Sequence, residues 1–240
     1  MKKIAVVTGA DRGLGISLTR WLLENGYKVF AGQFMESCDF LKEMKALYPE
    51  DLELVPLDVG KDESVQSAAR MIAAKATHID LIINNAGISH QADQATILEK
   101  QNYEVMQEIY NVNTLGTLRV TNSLMELLLQ GSTKLVVNIS SEAGSVEKNK
   151  RTNMYGYCMS KSAMNMQSSI LHQHLRTFGG QVMVFYPGWL QSYMSGTLNE
   201  EAPTTTDESA HKIMNLVKDH KTYMADQPIF LDIDGKKWPW

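Results

Sequence analysis

The fold this sequence predicts is a single α/β domain built on an open, doubly wound sheet of about seven parallel strands with helices on both faces. Three observations carry that expectation. Apolar runs of four to six residues alternate with segments of helical apolar spacing, several of the runs are unbroken, and a glycine-rich turn joins the first run to the first helical segment. Unbroken apolar strands suit a parallel sheet, because both of its faces are covered. A chain of 240 residues is long enough to bury a full core, and residues 1–240 are taken as one domain.

The strand candidates, in order, are 4–7, 28–31, 52–57, 81–83, 134–139, 181–185 and 229–232. Between the first two, Leu14, Leu18, Trp21 and Leu22 recur at helical spacing, and Asn25-Gly26 supplies a stop. Phe40, Leu41, Met44 and Leu47 repeat the pattern. Val65, Ala68, Ala69, Ile72 and Ala76 repeat it again after Asp62, which is expected to cap that helix. Two longer helical patterns run over about 104–129 and 155–178, the second closed by Gly179-Gly180. Strand–helix alternation of this kind implies right-handed βαβ units. The stretch 192–207 has weak periodicity, and a loop over about 188–207 is expected to act as a lid or binding loop.

Composition excludes several classes. The formal net charge is −4 with a pI near 5.9, so nucleic acid is not the expected partner. No run approaches the roughly 18 apolar residues of a membrane span, and the apolar segment after Met1-Lys2-Lys3 is too short for a signal-peptide core. Two distant cysteines, Cys38 and Cys158, argue for a reducing, cytoplasmic setting. The six histidines show no metal-ligand spacing, so no metal site is expected. No Gly-x-Ser-x-Gly elbow supports a hydrolase. The mixed-charge run 147–151 is expected to be a solvated loop.

The glycine turn, Thr8-Gly9-Ala10-Asp11-Arg12-Gly13-Leu14-Gly15, carries the first functional expectation. Gly9 permits the tight turn, Gly13 lets a pyrophosphate approach the backbone, and Gly15 lets helix and sheet pack closely. The following helix N-terminus offers free N–H groups and a partial positive charge to phosphates. Gly9, Asp11, Arg12, Gly13, Leu14 and Gly15 are therefore taken as dinucleotide-binding in a Rossmann-type sheet. An acid ending the second strand would favour NAD, but that strand ends Gly32-Gln33-Phe34, and Glu36 comes late. Arg12 inside the turn can pair with a 2′-phosphate. NADP is the expected cofactor, with NAD the alternative.

Further motifs follow in order: Asn84-Asn85-Ala86-Gly87, serines at the end of the fifth strand, and Tyr157-x-x-x-Lys161. Together with the glycine turn they resemble the short-chain dehydrogenase/reductases over nearly the whole chain. Pro187-Gly188-Trp189 and the tail from Phe230 to Trp240 resemble the sniffer/C-factor carbonyl-reductase branch. The resemblance implies Tyr157 as acid/base, Lys161 as its electrostatic partner, Ser141 as the group orienting the carbonyl and Asn113 as holder of a relay water. It implies Asp58 and Val59 at the adenine, Asn85, Ala86 and Gly87 on the adenosine and ribose side, and Pro187, Gly188 and Ser192 near the nicotinamide. Ser140 is an alternative to Ser141, Asn111 to Asn113, and Tyr155 a rival to Tyr157. Ser141 and Tyr157 are 16 apart, about three more than the common family spacing, and the loop 145–153 absorbs the excess. The family also implies a homodimer or homotetramer through the two long helices, although sniffer-type members can be monomers.

The chemistry of a carbonyl reduction needs a hydride on carbon and a proton on oxygen. A free tyrosine, with pKa near 10, exchanges protons poorly at neutral pH. Tyr157 and Lys161 are four apart, so a helix puts them on one face, and the ammonium is expected to lower the phenol's pKa. Ser141 would add a neutral donor at the carbonyl oxygen. Trp189, Tyr193 and Met194 suggest an apolar substrate wall. The expectation is an NAD(P)(H)-dependent oxidoreductase acting on a small carbonyl compound or secondary alcohol. The alternative is a dinucleotide-binding regulatory protein with incidental catalysis.

Overall fold

A computed structural model describes residues 2–36, 38–194 and 196–240; Met1 and Ser37, and Ser195 of the expected loop, lie outside it. Seven strands form one sheet: β1 (Ile4–Val7), β2 (Lys28–Gln33), β3 (Leu52–Pro56), β4 (Leu81–Asn84), β5 (Leu135–Ile139), β6 (Gln181–Phe185) and β7 (Ile229–Leu231). Their order is β3-β2-β1-β4-β5-β6-β7, and every pairing is parallel. The strand candidates all appear, with bounds moved by at most two residues at an end.

Both faces of the sheet are covered, which explains the unbroken apolar runs. Along β1, Ala5 and Val7 join one core and Ile4 and Val6 the other. The first core receives α1 (Gly13–Glu24), α2 (Asp39–Leu47) and α8 (Thr206–Lys218) through residues such as Leu18, Leu41 and Ile213. The second receives α3 (Asp62–Ala73), α5 (Thr117–Ser123), α6 (Met125–Gln130) and α7 (Tyr155–Leu175) through residues such as Ile72, Val120, Leu128 and Leu175. Helix α8, with Ala210, Ile213, Met214 and Val217 buried, is an element that the reading of apolar spacing passes over.

Two local expectations are corrected. Asp62 is the first helical residue of α3, and Lys61 holds the cap position without a side-chain cap. Asp62 instead places its charge in the first turn, where the helix dipole favours it and Arg119 pairs with it. The pattern over 104–129 is not one helix. It runs as α4 (Tyr103–Tyr110), a π-helical segment Asn111–Gly116, α5 and α6. A π insertion adds a residue to a turn and re-aims the side chains around it.

The chain order reverses between β1 and β4. In open α/β sheets a ligand crevice forms at such a point, outside the carboxyl ends of the strands.

Candidate active site

The glycine turn sits at that crevice and is locked from the neighbouring strand. Thr8 Oγ1 accepts from the backbone N–H of Asn85 and of Ala86, both at 3.0 Å. The Asn85 amide donates to Thr8 O at 3.0 Å and Gly9 O at 3.1 Å. Gly9 has φ +61°, and a Cβ on Gly15 would lie 2.0 Å from Gly9 O, so the helix packs onto the turn with no room for a side chain. Gly13 has φ +54°, and a Cβ there would meet only Ser192 Cβ, at 3.8 Å. Arg12 caps α1 without a side-chain hydrogen bond, which leaves the first N–H groups of the helix without a cap.

The residues around this turn enclose a cleft of about 1060 Å³. It is lined by Gly9, Asp11, Arg12, Gly13, Leu14, Asp58, Val59, Asn85, Ala86, Gly87, Ser141, Tyr157, Lys161, Pro187, Gly188 and Ser192. Thus all but two of the expected site residues line one cavity. Gly15 stands behind the turn, and Asn113 is fully enclosed behind Gly87.

Several of the expected ligand-contact residues also bond within the protein. Asp11 Oδ2 accepts from the N–H of Phe34 at 2.9 Å and of Met35 at 2.7 Å, bracing the turn against the end of β2. Asp58 Oδ1 accepts from Gly60 N at 2.9 Å, and Lys61 pairs with the carboxylate at 3.2 Å. Asn113, in the π segment, accepts from Ile88 N at 2.8 Å and donates to Ile88 O at 2.9 Å and Ser160 Oγ at 3.0 Å. Its backbone carbonyl takes the Thr117 hydroxyl at 2.9 Å. Both N–H groups of the Asn113 amide are thus engaged within the protein, and its oxygen accepts one bond. The residue pins the segment after β4 to α7. Asn111, the alternative, reaches the cleft wall, but its amide bonds to Gly60 O at 3.0 Å and to Arg119 at 2.7 Å.

Tyr157 and Lys161 lie one turn apart on α7, with the ammonium nitrogen 5.8 Å from the centre of the tyrosine ring. Lys161 Nζ donates to Ile139 O at 2.9 Å, and the Tyr157 hydroxyl faces Met194 Sδ at 3.9 Å. Burial pushes the phenol up to about 12, although the neighbouring Ser141 hydroxyl favours the phenolate. Burial pulls the ammonium down to about 8. The expected lowering of the tyrosine by the lysine is not met in this structure: burial is the largest influence on the phenol, and Lys161 is not among the charges that shift it. Ser140 turns away, donating to Asn165 Oδ1 at 2.7 Å, which leaves Ser141 beside Tyr157. Tyr155, the rival, is not on the cleft wall, whereas Trp189, Tyr193 and Met194 are.

Three residues that sequence reasoning missed also matter. Asp93 is buried, and its carboxylate accepts from Gly156 N and Tyr157 N, each at 2.8 Å. It caps α7 from a distant segment, since Met154 at the cap position makes no side-chain cap. Nothing near Asp93 in sequence announces that contact. Glu142 and Arg151 form an ion pair on the cleft wall. Arg151 thus corrects the expectation of a wholly solvated run 147–151; the clue was the extra length between Ser141 and Tyr157, together with Glu142 directly after the serine. Burial would raise the Glu142 carboxyl, but hydrogen bonds from Ser141 and Arg151 hold it below the usual value.

A match to the family model described as short chain dehydrogenase covers residues 3–203. The chain belongs to the short-chain dehydrogenase family. It is 33% identical over 192 residues to the mitochondrial D-beta-hydroxybutyrate dehydrogenase of Bos taurus, covering 78% of this chain and 54% of that one. It is 30% identical over 162 residues to C-signal of Myxococcus xanthus, covering 68% and 93%. The chain thus spans only about half the length of some curated relatives, such as the first. Among solved structures, NADPH-bound carbonyl reductase from chicken fatty liver superposes with a TM-score of 0.85 at 28% identity, covering all of this chain and 94% of that one. The carbonyl reductase Sniffer of D. melanogaster gives a TM-score of 0.85 at 22% identity over both whole chains, a likeness of fold. C-signal is a relative, and Sniffer a structural neighbour, of the kind that the tail of the sequence indicates. No helix among the described residues is long and apolar enough to cross a membrane.

Proposed function

We propose that this protein is an NADP(H)-dependent oxidoreductase that interconverts a small carbonyl compound and a secondary alcohol. The observation that carries the reading is the convergence of an uncapped helix N-terminus, an open glycine backbone and the Ser141–Tyr157–Lys161 cluster on one cleft. A dinucleotide fits the donors present. The N–H groups at Gly13 and the start of α1 suit its phosphates, Arg12 a 2′-phosphate, and Lys161 a ribose hydroxyl. When bound, the nicotinamide supplies or accepts the hydride.

The chain's own residues handle the oxygen. Ser141 donates a hydrogen bond to the carbonyl oxygen and orients it. Tyr157, held protonated at neutral pH by burial, delivers its proton to that oxygen as negative charge develops there. Lys161, mostly charged below about pH 8, stabilises the resulting phenolate. Asn113 and Asp93 hold the segments carrying these groups in place. Trp189, Tyr193 and Met194 wall off the mouth.

Tyr157→Phe tests the assignment. Reduction of a carbonyl panel should fall at least a thousandfold while NADPH affinity stays within a few fold; undiminished turnover would remove the tyrosine from the mechanism. Titration of the four tryptophans' fluorescence with NADPH and NADH tests the cofactor, and tighter NADH binding would overturn the role given to Arg12. Exposed Leu118, Met159, Met166 and Ile170 on the outer faces of α5 and α7 support self-association as a homodimer or homotetramer, and a monomeric mass in solution would contradict it. Free Cys38 and Cys158 suit a reducing compartment such as the cytoplasm.

A further inference from the structure

The relatives named above do not share one substrate class, and the walls of the cleft carry the chemistry that would select one. Glu142 and Arg151 stand beside Ser141 and Tyr157, with side chains 27% and 33% exposed. Their hydrogen-bonding capacity is unequally used. Glu142 accepts from Arg151 through Oε1, and through Oε2 from the Ser141 hydroxyl and from Ala143 N at 2.6 Å. Its acceptors are occupied. Arg151 commits only Nη2, and among the described residues its other guanidinium N–H groups meet no protein acceptor. Lys161 adds a second cation to the same wall, so two positive charges face one negative. The free capacity at this end consists of donors and the local charge is positive.

The segment carrying Arg151 is held at several points. It lengthens the Ser141–Tyr157 spacing and is braced by the Trp240 carbonyl, which accepts from Glu147 N at 3.3 Å and Ser145 Oγ at 3.4 Å. Arg151 N itself donates to Asn149 Oδ1 at 3.2 Å. A planar guanidinium with an unused edge matches a carboxylate better than any neutral group. A neutral ketone would leave that edge to water and gain nothing from it.

The geometry points to a substrate that carries an anionic group besides its carbonyl, an oxo acid or its hydroxy-acid counterpart, with Arg151 holding the carboxylate. This rests on the reduction reading above. Glu142 competes for the same guanidinium, so it sets how tightly the anion is held and also restrains the Ser141 hydroxyl until substrate arrives.

Calorimetric titration of the NADP-saturated protein with benzoate and with benzamide reads the anion site without turnover. Benzoate should bind at least tenfold more tightly. Arg151→Met should bring the two within twofold, and Glu142→Gln should widen benzoate's advantage severalfold by removing the competing carboxylate. The double variant Glu142→Gln/Arg151→Met controls for an unpaired charge upsetting the fold, and it should also show no preference. Equal binding of the two by the unaltered protein, or a benzoate preference that survives loss of Arg151, would overturn the inference. In parallel, NADPH-dependent reduction of 4-formylbenzoate is compared with that of its methyl ester. Equal kcat/KM for both would sink the anion site and leave the reductase reading standing. Arg151-dependent benzoate binding without reduction of either aldehyde would do the reverse. If NADP does not bind, the same titration of the cofactor-free protein still decides the anion site.

Discussion

Replacing Lys161 should make the cofactor-free protein more stable at neutral pH, even as it removes function. Lys161 is 2% exposed, and burial lowers its pKa from 10.5 to about 8. The folded value lies below the unfolded one, so between about pH 8 and 10.5 the unfolded chain binds more protons, and stability rises with pH across that window. Below pH 8 the whole penalty is present, and at 1.36 kcal/mol per decade it comes to roughly 3 kcal/mol. Lys161→Met removes that penalty and keeps the apolar stem. It also removes the bond from Nζ to Ile139 O at 2.9 Å, a loss of about 1 kcal/mol. The net gain should be about 2 kcal/mol at pH 7, falling through zero and reversing by about pH 10.5, where only the lost hydrogen bond remains. Urea unfolding of both proteins without cofactor at pH 7, 8.5 and 10 measures the difference, and the comparison cancels other alkaline titrations. Parallel stability–pH profiles for the two proteins would refute the argument that Lys161 is charged, buried and poorly compensated. A site group that destabilises its own fold is the expected signature of function set against stability.

Other outcomes follow from the same contacts. Gly15→Ala would place a methyl carbon 2.0 Å from Gly9 O, a backbone atom that cannot swing away, so a stability loss of about 2–4 kcal/mol is expected in thermal melts, with loss of NADPH binding. Asp93→Ala removes two charge-assisted bonds to the start of α7 and should cost about 3 kcal/mol in urea unfolding and lower kcat; Asp93→Asn, which keeps one acceptor, should recover about half of each. The affinity for NADPH should weaken as pH rises through about 8, when Lys161 loses its charge, and a flat affinity from pH 7 to 9.5 would detach Lys161 from the cofactor.

The sheet was legible because its strands are enclosed on both faces: Ile4–Val7 is an unbroken apolar run only because alternate residues enter two different cores. The glycine turn was legible because Gly9 and Gly15 leave too little room for a Cβ and Gly13 takes a left-handed conformation that glycine adopts most readily. Helix α8 was less so, since its buried stripe lies within a strongly polar segment that begins Thr206-Asp207-Glu208. The break at 111–116 was hidden because Asn113 and Thr114 satisfy helix-like spacing while their side chains bond to Ile88 and Ser160, partners far away in sequence. The same reason hid Asp93. Charge runs are the weakest guide: Lys148 and Lys150 are solvated as their composition suggests, yet Arg151 next to them turns inward to Glu142.

Asp11, Asn85 and Asn113, expected at a ligand, each also bond within the protein. Asp11 ties the turn to β2, Asn85 ties it to the strand end after β4, and Asn113 ties that same strand end to α7. These three ties run in series across the crevice, from the phosphate end to Tyr157. A shift at either end is therefore transmitted to the other, which is what a site needs if a cofactor bound at the turn is to meet a proton donor on α7 at fixed distance. Among the groups left without protein partners are the N–H groups at the start of α1, Arg12 beside them, and the free edge of Arg151, with Asp11 Oδ1 and Asn85 Oδ1 as acceptors. Donors predominate among them, so the molecules this cleft accepts should be rich in negatively charged acceptors at both ends.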